Sequence, residues 1–310
     1  MEGVRAVVLT HGTEGRFGPL LESLQREGLP LERVVVVHNP SAPGESPPPV
    51  PAGCELIPAP RNLGYTGGMN LGIEHQLGRD CDLLLVLTHD ARFHPGALRR
   101  LVEAASGDPA YGVLGPALVL EGSGRPFSFG GITRPNGERS HVRERPPAAG
   151  GIARCDWIDG GTMLFRADLL REIGGFDERF FIYCEDSEIC WRATEAGAGV
   201  GLVPDAVADQ SPGGASRIGP WSYLMTRNGA AYARRARGRR ALADSIGRAA
   251  RIAGFNLLRA GARGLRLRAG SPAEPWALAV GTSRGAIDAL RGRWGPPPRL
   301  PGSGDVTNVD

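Results

Sequence analysis

Three short stretches of this sequence gather residue types that can do chemistry. Thr88-His89-Asp90 closes the aliphatic run 83–87. A carboxylate at the end of a buried strand stands where a sheet meets its ligands. A Mg2+ or Mn2+ ion on a diphosphate takes one or two protein carboxylates and completes its shell with phosphate oxygens and water. Asp90 suits such an ion; a turn cap before Pro95 is the alternative. The stretch 61–72, RNLGYTGGMNLG, holds Gly64, Gly67 and Gly68, which permit close backbone approach, and Asn70 near a helix start, which offers donors to an anion. An ordinary glycine-rich strand-to-helix turn is the other reading. The stretch 158–192 runs from Gly160-Gly161 through the aromatic residues Phe180, Phe181 and Tyr183 to Glu185-Asp186 at a helix start. Carboxylates there either cap the helix or, fixed behind an aromatic wall, supply a general base.

The elements that must position these residues follow from hydrophobic periodicity. Strands are predicted over 4–10, 34–37, 54–57 and 83–87, and helices over 17–27, 68–77, 95–105 and 187–196. The segment 41–51 is rich in Pro, Gly and Ser and reads as a loop. Strand–helix alternation implies an α/β fold with a mainly parallel sheet flanked by helices, and His11, His38-Asn39 and Thr88-His89-Asp90 all fall at strand ends. Between 127 and 149 the pattern breaks down, and a surface excursion is expected.

Composition narrows the class. A chain of 310 residues allows one large domain or two modest ones. Five cysteines without Cys-x-x-Cys argue against a disulfide scaffold or structural zinc, and no signal peptide is recognised at 1–12, so a cytoplasmic protein is expected. There is no Gly-x-Ser-x-Gly, no Cys/His nucleophile pattern and no Gly-x-Gly-x-x-Gly dinucleotide fingerprint. All 36 basic residues are arginines. Fifteen of them lie in 227–293 against Asp244, Glu274 and Asp288, a local charge of +12; with +3 overall, the rest carries −9.

That basic third reads as helical. Leu242, Ile246, Ala249, Ala253 and Leu257 share one face; Arg248, Arg251, Arg259 and Arg266 share another, with Phe255 among them. Either the apolar stripe packs on the rest of the chain or on a second copy, leaving a solvated arginine face, or the region docks on a membrane surface, which would place the protein at the inner face of the membrane. Nucleic-acid binding lacks aromatic interleaving and a known module. Residues 295–310 read as a disordered tail.

Taken in order, these segments resemble the family 2 inverting glycosyltransferases, particularly the rhamnosyltransferase-like branch. The resemblance spans about 4–230 and rests on Thr10, the turn 62–70, Thr88-His89-Asp90, the block 174–186 and Arg227-Asn228. It implies a GT-A nucleotide-diphospho-sugar transferase domain over 1–225, a basic helical region over 226–294 and the tail. It further implies that Thr10, with His38 and Asn39, lies on the nucleotide. Arg61, Asn62, Gly64, Gly68, Asn70 and His89 would stand on the nucleotide-sugar side. Asp90 would hold Mg2+ or Mn2+, and Asp186, with Glu185 beside it, would deprotonate the acceptor. Trp157, Asp159, Gly160 and Gly161 would line the acceptor pocket. The donor implied is a dTDP- or UDP-linked deoxysugar such as rhamnose, the acceptor a glycan or small molecule. Three positions depart from the family pattern: His38 replaces an Asp, Thr88-His89 replaces Asn-Pro, and Asp209-Gln210 stands where a metal-binding His is expected. Asp209 is the expected second metal ligand, since Gln210 offers only a neutral carbonyl. A protein of the same fold that binds nucleotide or glycan without turnover is the alternative.

Overall fold

The computed structural model describes residues 1–12, 17–148, 151–211, 218–265, 269 and 271–301. Its elements are β1 (Val4–His11), α1 (Gly18–Arg26), β2 (Val34–Asn39), β3 (Glu55–Pro58), α2 (Gly64–Leu77), β4 (Leu83–Thr88), β5 (Arg92–Phe93), α3 (Ala97–Gly107), β6 (Tyr111–Leu120), β7 (Pro126–Ser128), β8 (Gly131–Thr133), β9 (Arg139–His141), β10 (Ala153–Arg154), β11 (Thr162–Arg166), α4 (Ala167–Ile173), α5 (Glu185–Glu195), β12 (Gly199–Gln210), α6 (Ile218–Gly264) and α7 (Ala273–Arg291). They form two compact units. The first takes in Met1–Ile132, Ser140–Asp177 and the chain from Glu185 through β12; the second takes in Thr133–Arg139, Glu178–Cys184 and the chain from α6 onward.

The first unit is built on a sheet ordered β10-β12-β6-β11-β4-β1-β2-β3, with β5 on β12 and β7 on β6. Strands β3, β2, β1 and β4 run parallel, β11 is antiparallel to β4 and β6, and β6 and β12 run parallel to each other. Val7, Val8, Val35, Val36, Leu85 and Val86 have no exposure at all, which explains their uninterrupted apolar runs: a strand covered on both faces has no polar side. Alternation along β1 sends Val4, Ala6 and Val8 into the core with α1 and α3, and turns Val7 and Leu9 toward α2. There Gly68 and Gly72 let helix and sheet close: a Cβ would come within 2.6 Å of Leu9 and 2.3 Å of Val7. The pairings Thr10↔His38, Leu9↔Thr88 and Thr162↔Leu87 bring the ends of β1, β2 and β4 and the start of β11 to one edge.

Two expectations change here. α2 starts at Gly64, four residues before the predicted position, because its glycine-rich first turn packs instead of exposing a polar face. The segment 127–149 is a surface excursion only in part: 143–145 are exposed, but the stretch before them is ordered. It contributes β7, β8 and β9, Ser128 is fully buried, and His141 packs edge-on to Trp157 at 4.9 Å. Strands of three residues are too short to show a period.

In the second unit α6 breaks at Gly238, where φ is 83° and ψ −169°. The division expected at residue 225 falls inside α6, where Arg227 and Asn228 are buried. Asn228 Nδ2 donates to the carbonyls of Phe180, Ile182 and Tyr183 at 2.8–2.9 Å, and Arg227 Nη2 donates to that of Phe180. These bonds hold a turn in which Phe181, Tyr183 and Cys184 have φ of 66°, 71° and 72°, a left-handed conformation that L-residues keep only when the surroundings fix it. Asn228→Ala is expected to cost about 2–4 kcal/mol by orphaning these carbonyls, measured as a lower urea midpoint. An unchanged midpoint would show that the turn holds itself.

The expected tail is fixed at its start: Gly295 N–H donates to Arg179 O, and Gly295 O accepts from Arg227. Residues 302–310, like Arg266 of the arginine stripe, lie outside the described residues. From 245 to 264 the residues α6 buries are Ala249 and Ala253 of the expected stripe together with Asn256 and Ala260, whereas Leu257 of that stripe is 46% exposed. Among the described residues no helix is long and apolar enough to cross a membrane.

Candidate functional site

Asp90 follows β4 at the sheet edge, half-buried. Its Oδ1 accepts from the Thr88 hydroxyl at 2.6 Å and its Oδ2 from Gln210 Nε2 at 2.6 Å. Gln210 reaches it across Gly161, where a Cβ would lie 2.6 Å from Gln210 Oε1. Asp209 does not join them. Neighbouring side chains on a strand point to opposite faces, and Asp209 Oδ1 meets His94 Nε2 at 3.0 Å instead. The second position beside Asp90 is therefore Gln210, not the expected Asp209. Among the described residues no three His, Cys, Asp or Glu side chains gather as a metal cage. A single carboxylate, bonded to a hydroxyl and an amide N–H, fits a Mg2+ or Mn2+ ion whose remaining positions come from a diphosphate and water; it does not fit a cation held by protein alone.

Beside this lies the cluster at the ends of β1 and β2. The Thr10 hydroxyl donates to Val37 O at 3.4 Å. Asn39 Nδ2 donates to Asn62 Oδ1 and Gly64 O, its Oδ1 accepts from Leu63 N–H, and Asn62 Oδ1 accepts from Gly64 N–H at 2.9 Å. Asn39 and Asn62 thus lock the turn that starts α2. Gly68 faces β1, and Arg61 stands exposed at the turn's entry. His38 is 1% exposed, and neither ring nitrogen has a hydrogen-bond partner; its Nε2 is 3.8 Å from Glu45 Oε1. Burial pushes His38 below the usual histidine value, with Glu45 opposing and His11 adding to the fall. Burial works to raise Glu45, but hydrogen bonds from Ser41 and Ala42 and the charge of His38 outweigh it and hold Glu45 below the usual range. A neutral imidazole, with one donor and one acceptor, therefore sits at the edge with a carboxylate behind it. Glu45 lies in the aperiodic 41–51 loop, so nothing in the sequence marked it.

On the far side of α2, Asn70 exchanges two hydrogen bonds with the Phe176 backbone, at 2.8 and 2.9 Å. It can approach because residue 175 is Gly: a Cβ there would meet Asn70 Oδ1 at 2.7 Å. Asn70 thus ties α2 to the backbone at Phe176. Tyr65 packs edge-on to Phe176 at 5.3 Å and donates its hydroxyl to Gly160 O. Burial first, then the charges of Glu185 and Asp186, drives the Tyr65 hydroxyl well above its ordinary value, so it stays a donor. Gly160 lies between Tyr65 and Asp186, with room for a Cβ only at 3.2 and 3.5 Å from them. Asp186 stands half-buried in the first turn of α5, its Oδ1 accepting from Ser187 N–H at 2.6 Å; Glu185 is buried. His89 is half-buried next to Asp90, its N–H bound to Leu9 O. Trp157, expected in the acceptor-lining segment, is 2% exposed and donates to Ile132 O.

Asp159 is the surprise of this group. His141 Nδ1 lies 3.4 Å from its Oδ1 and 3.1 Å from Ser128 Oγ. Burial, aided by the Asp186 charge and opposed by Ser128 and Arg143, pushes Asp159 up to about 7. The folded chain therefore holds a proton at Asp159 that the unfolded chain, near the ordinary ~3.9, has released. Stability contributed here falls as pH rises from about 4 to about 7 and is flat above. Asp159→Asn is expected to stabilise the protein by on the order of 3 kcal/mol at pH 8 and not at pH 4. Chemical denaturation at both pH values checks this; equal effects at the two would contradict it. His141 and Ser128 were missed because they lie in the 127–149 segment, which shows no pattern.

Comparison with known proteins places this geometry. The family described as Glycosyl transferase family 2 matches residues 6–172. An N-acetylglucosaminyl-diphospho-decaprenol L-rhamnosyltransferase of Mycobacterium tuberculosis is 28% identical over 209 residues, 57% of this chain and 65% of that protein. A dTDP-rhamnosyl transferase, RfbF, of Shigella flexneri is 26% identical over 164 residues, 50% of this chain and 53% of that protein. The chain thus matches about half to two thirds of the length of these relatives. Among solved structures, the mannosyltransferase PcManGT of Pyrobaculum calidifontis, in complex with GDP-Man and Mn2+, aligns at TM-score 0.51 with 14% identity, covering 93% of this chain and 87% of that one. GalNAc-T7 with UDP, GalNAc and Mn2+ aligns at TM-score 0.53 and 14% identity, over 69% of this chain and 45% of that one. These likenesses show a shared GT-A fold.

Proposed function

The chain belongs to glycosyl transferase family 2, and we propose that it moves a sugar from a nucleoside diphosphate to an acceptor hydroxyl with inversion at the anomeric carbon. The observation that carries this reading is the arrangement along one sheet edge: a strand-end carboxylate at Asp90, the Asn39–Asn62 turn, and Asp186 beside Gly160. The rhamnosyltransferase names of its relatives favour a deoxysugar such as rhamnose, carried on dTDP or UDP, and a glycan acceptor.

In this reading Asp90, with Thr88 and Gln210 around it, holds the divalent cation against the donor diphosphate. When bound, Mg2+ or Mn2+ neutralises the charge that develops on the leaving diphosphate. Thr10, His38 and Asn39 border the nucleotide. Asp186 accepts the proton of the acceptor hydroxyl as that oxygen attacks from the face opposite the departing diphosphate. Glu185, Gly160 and Gly161 border the sugar and acceptor. Tyr65, Asn70 and Asn62 act through others: they fix Gly160, the 175–176 backbone and the start of α2.

A protein that binds nucleotide without turnover is the second reading, favoured by one observation. Both oxygens of Asp90 already meet neutral partners, Thr88 and Gln210. Thermal unfolding with UDP, dTDP and GDP, with and without Mn2+, tests the first requirement of both. A metal-dependent rise with one diphosphate is expected. No rise with any of them would contradict a nucleotide site altogether.

A further inference from the structure

Ten large hydrophobic side chains are exposed among the described residues, and nine of them lie between 221 and 290. Four stand on the second half of α6. At 100° per residue, buried Ala249, Ala253, Asn256 and Ala260 fall within about 60° of each other. Phe255 and Leu258, exposed by 61% and 75%, fall on the opposite side, and Leu265, 73% exposed, follows directly after the helix end. Arg251 projects between them, with Arg248 and Arg259 flanking; Arg259 lies over the Phe255 ring at 5.7 Å, and Arg248 also reaches Glu138 at 3.8 Å. No acidic residue occurs from 245 to 265. Beside this face, Leu257, Ala260, Gly261, Pro272, Ala273 and Trp276 line an apolar groove of about 540 Å3, with Trp276 half-exposed.

We propose that this face of α6 docks on an anionic lipid surface, its apolar side chains entering the headgroup–acyl boundary and its arginines meeting lipid phosphates. The charge pattern selects this occupant. A second copy of the chain, joined about a two-fold axis, would set this arginine-bearing face against itself, with no acidic residue between 245 and 265 to compensate. An anionic lipid surface complements arginine and apolar side chains together, since long basic side chains lay their stems along apolar neighbours and keep their heads at the phosphates. Trp276 at the groove rim has the amphipathic character favoured at that depth. The proposal is independent of which sugar moves.

Sedimentation of the full chain with phosphatidylcholine vesicles, with and without about 30% phosphatidylglycerol, tests it. At about 0.05 M salt the protein should pellet with the anionic vesicles alone, and at about 0.5 M salt the bound fraction should fall at least ~10-fold. Phe255→Asp with Leu258→Asp should weaken binding at least ~10-fold. Arg251→Glu with Arg259→Glu should do the same by a route that leaves the apolar face intact. Phe255, Leu258 and Arg251 being exposed and Arg259 half-buried at the surface, each variant should keep the parent's unfolding temperature, so loss of binding would not reflect loss of fold. Protein that stays in the supernatant at low salt overturns the proposal, as does equal binding to neutral vesicles. A concentration-dependent dimer that Phe255→Asp disperses, without lipid binding, assigns the face to a second copy instead.

Discussion

Asp186→Asn should lower turnover by at least ~10²-fold, the lower end of what a positioned general base contributes. The nucleoside diphosphate should still bind with near-parent affinity, because Asp186 stands on α5 beside Gly160, away from the turn that Asn39 and Asn62 lock. An amide keeps the shape and can still accept from Ser187 N–H, as the carboxylate does at 2.6 Å. The helix start should therefore survive, and the unfolding temperature should change little. A variant with near-normal turnover would remove Asp186 from the reaction. A fall in stability matching the fall in activity would show it to be only a helix cap.

Asp90→Ala should have the second large effect, the loss of metal-enhanced binding of the nucleoside diphosphate. Asp90 is the carboxylate at the centre of its cluster; Thr88 and Gln210, which meet its two oxygens, are neutral. Without it no anionic oxygen remains among those three side chains, and a hard divalent cation has little to hold it. Calorimetric titration of diphosphate with and without Mn2+ reads this directly. Binding that is metal-enhanced to the same degree in the variant would place the ion elsewhere. Residual metal-independent binding is expected, since the turn at 62–64 and His38 are untouched.

Much of this was legible in the residues. Uninterrupted apolar runs such as 34–37 and 83–87 can only be strands covered on both faces, and their polar ends mark the ligand edge. The place of Asp90 followed from that, whereas the roles expected of Asn62 and Asp186 came from the family resemblance. What stayed hidden depends on direction and distance. Asp209 and Gln210 are adjacent, and only the register of β12 shows that Gln210 turns to Asp90 while Asp209 turns to His94. Asn70 was expected on the nucleotide-sugar side, and its two bonds to the Phe176 backbone could not be read from the sequence. His141, Ser128 and Glu45 lie in segments with no periodicity, and the contacts of His141 with Ser128 and of Glu45 with His38 form only when the chain folds. In the basic third, the expected stripe of Leu242, Ile246, Ala249, Ala253 and Leu257 is buried at its two alanines, while Leu257 at its end stays exposed and Asn256 and Ala260 complete the buried face. A close helix contact selects small side chains, and a hydrophobic pattern does not record that.

The central claim is sugar transfer from a nucleoside diphosphate by the Asp90–Asp186 edge. It is tested most directly by incubating the full chain with dTDP-, UDP- and GDP-linked sugars and Mn2+ and following nucleoside diphosphate release, with the anomer of the freed or transferred sugar read by proton NMR. The account predicts release from one donor class, with inverted anomeric configuration, abolished by chelation and by Asp90→Ala and slowed at least ~10²-fold by Asp186→Asn. No release from any donor, under conditions where a nucleoside diphosphate binds, would contradict it and leave a binding protein of the same fold.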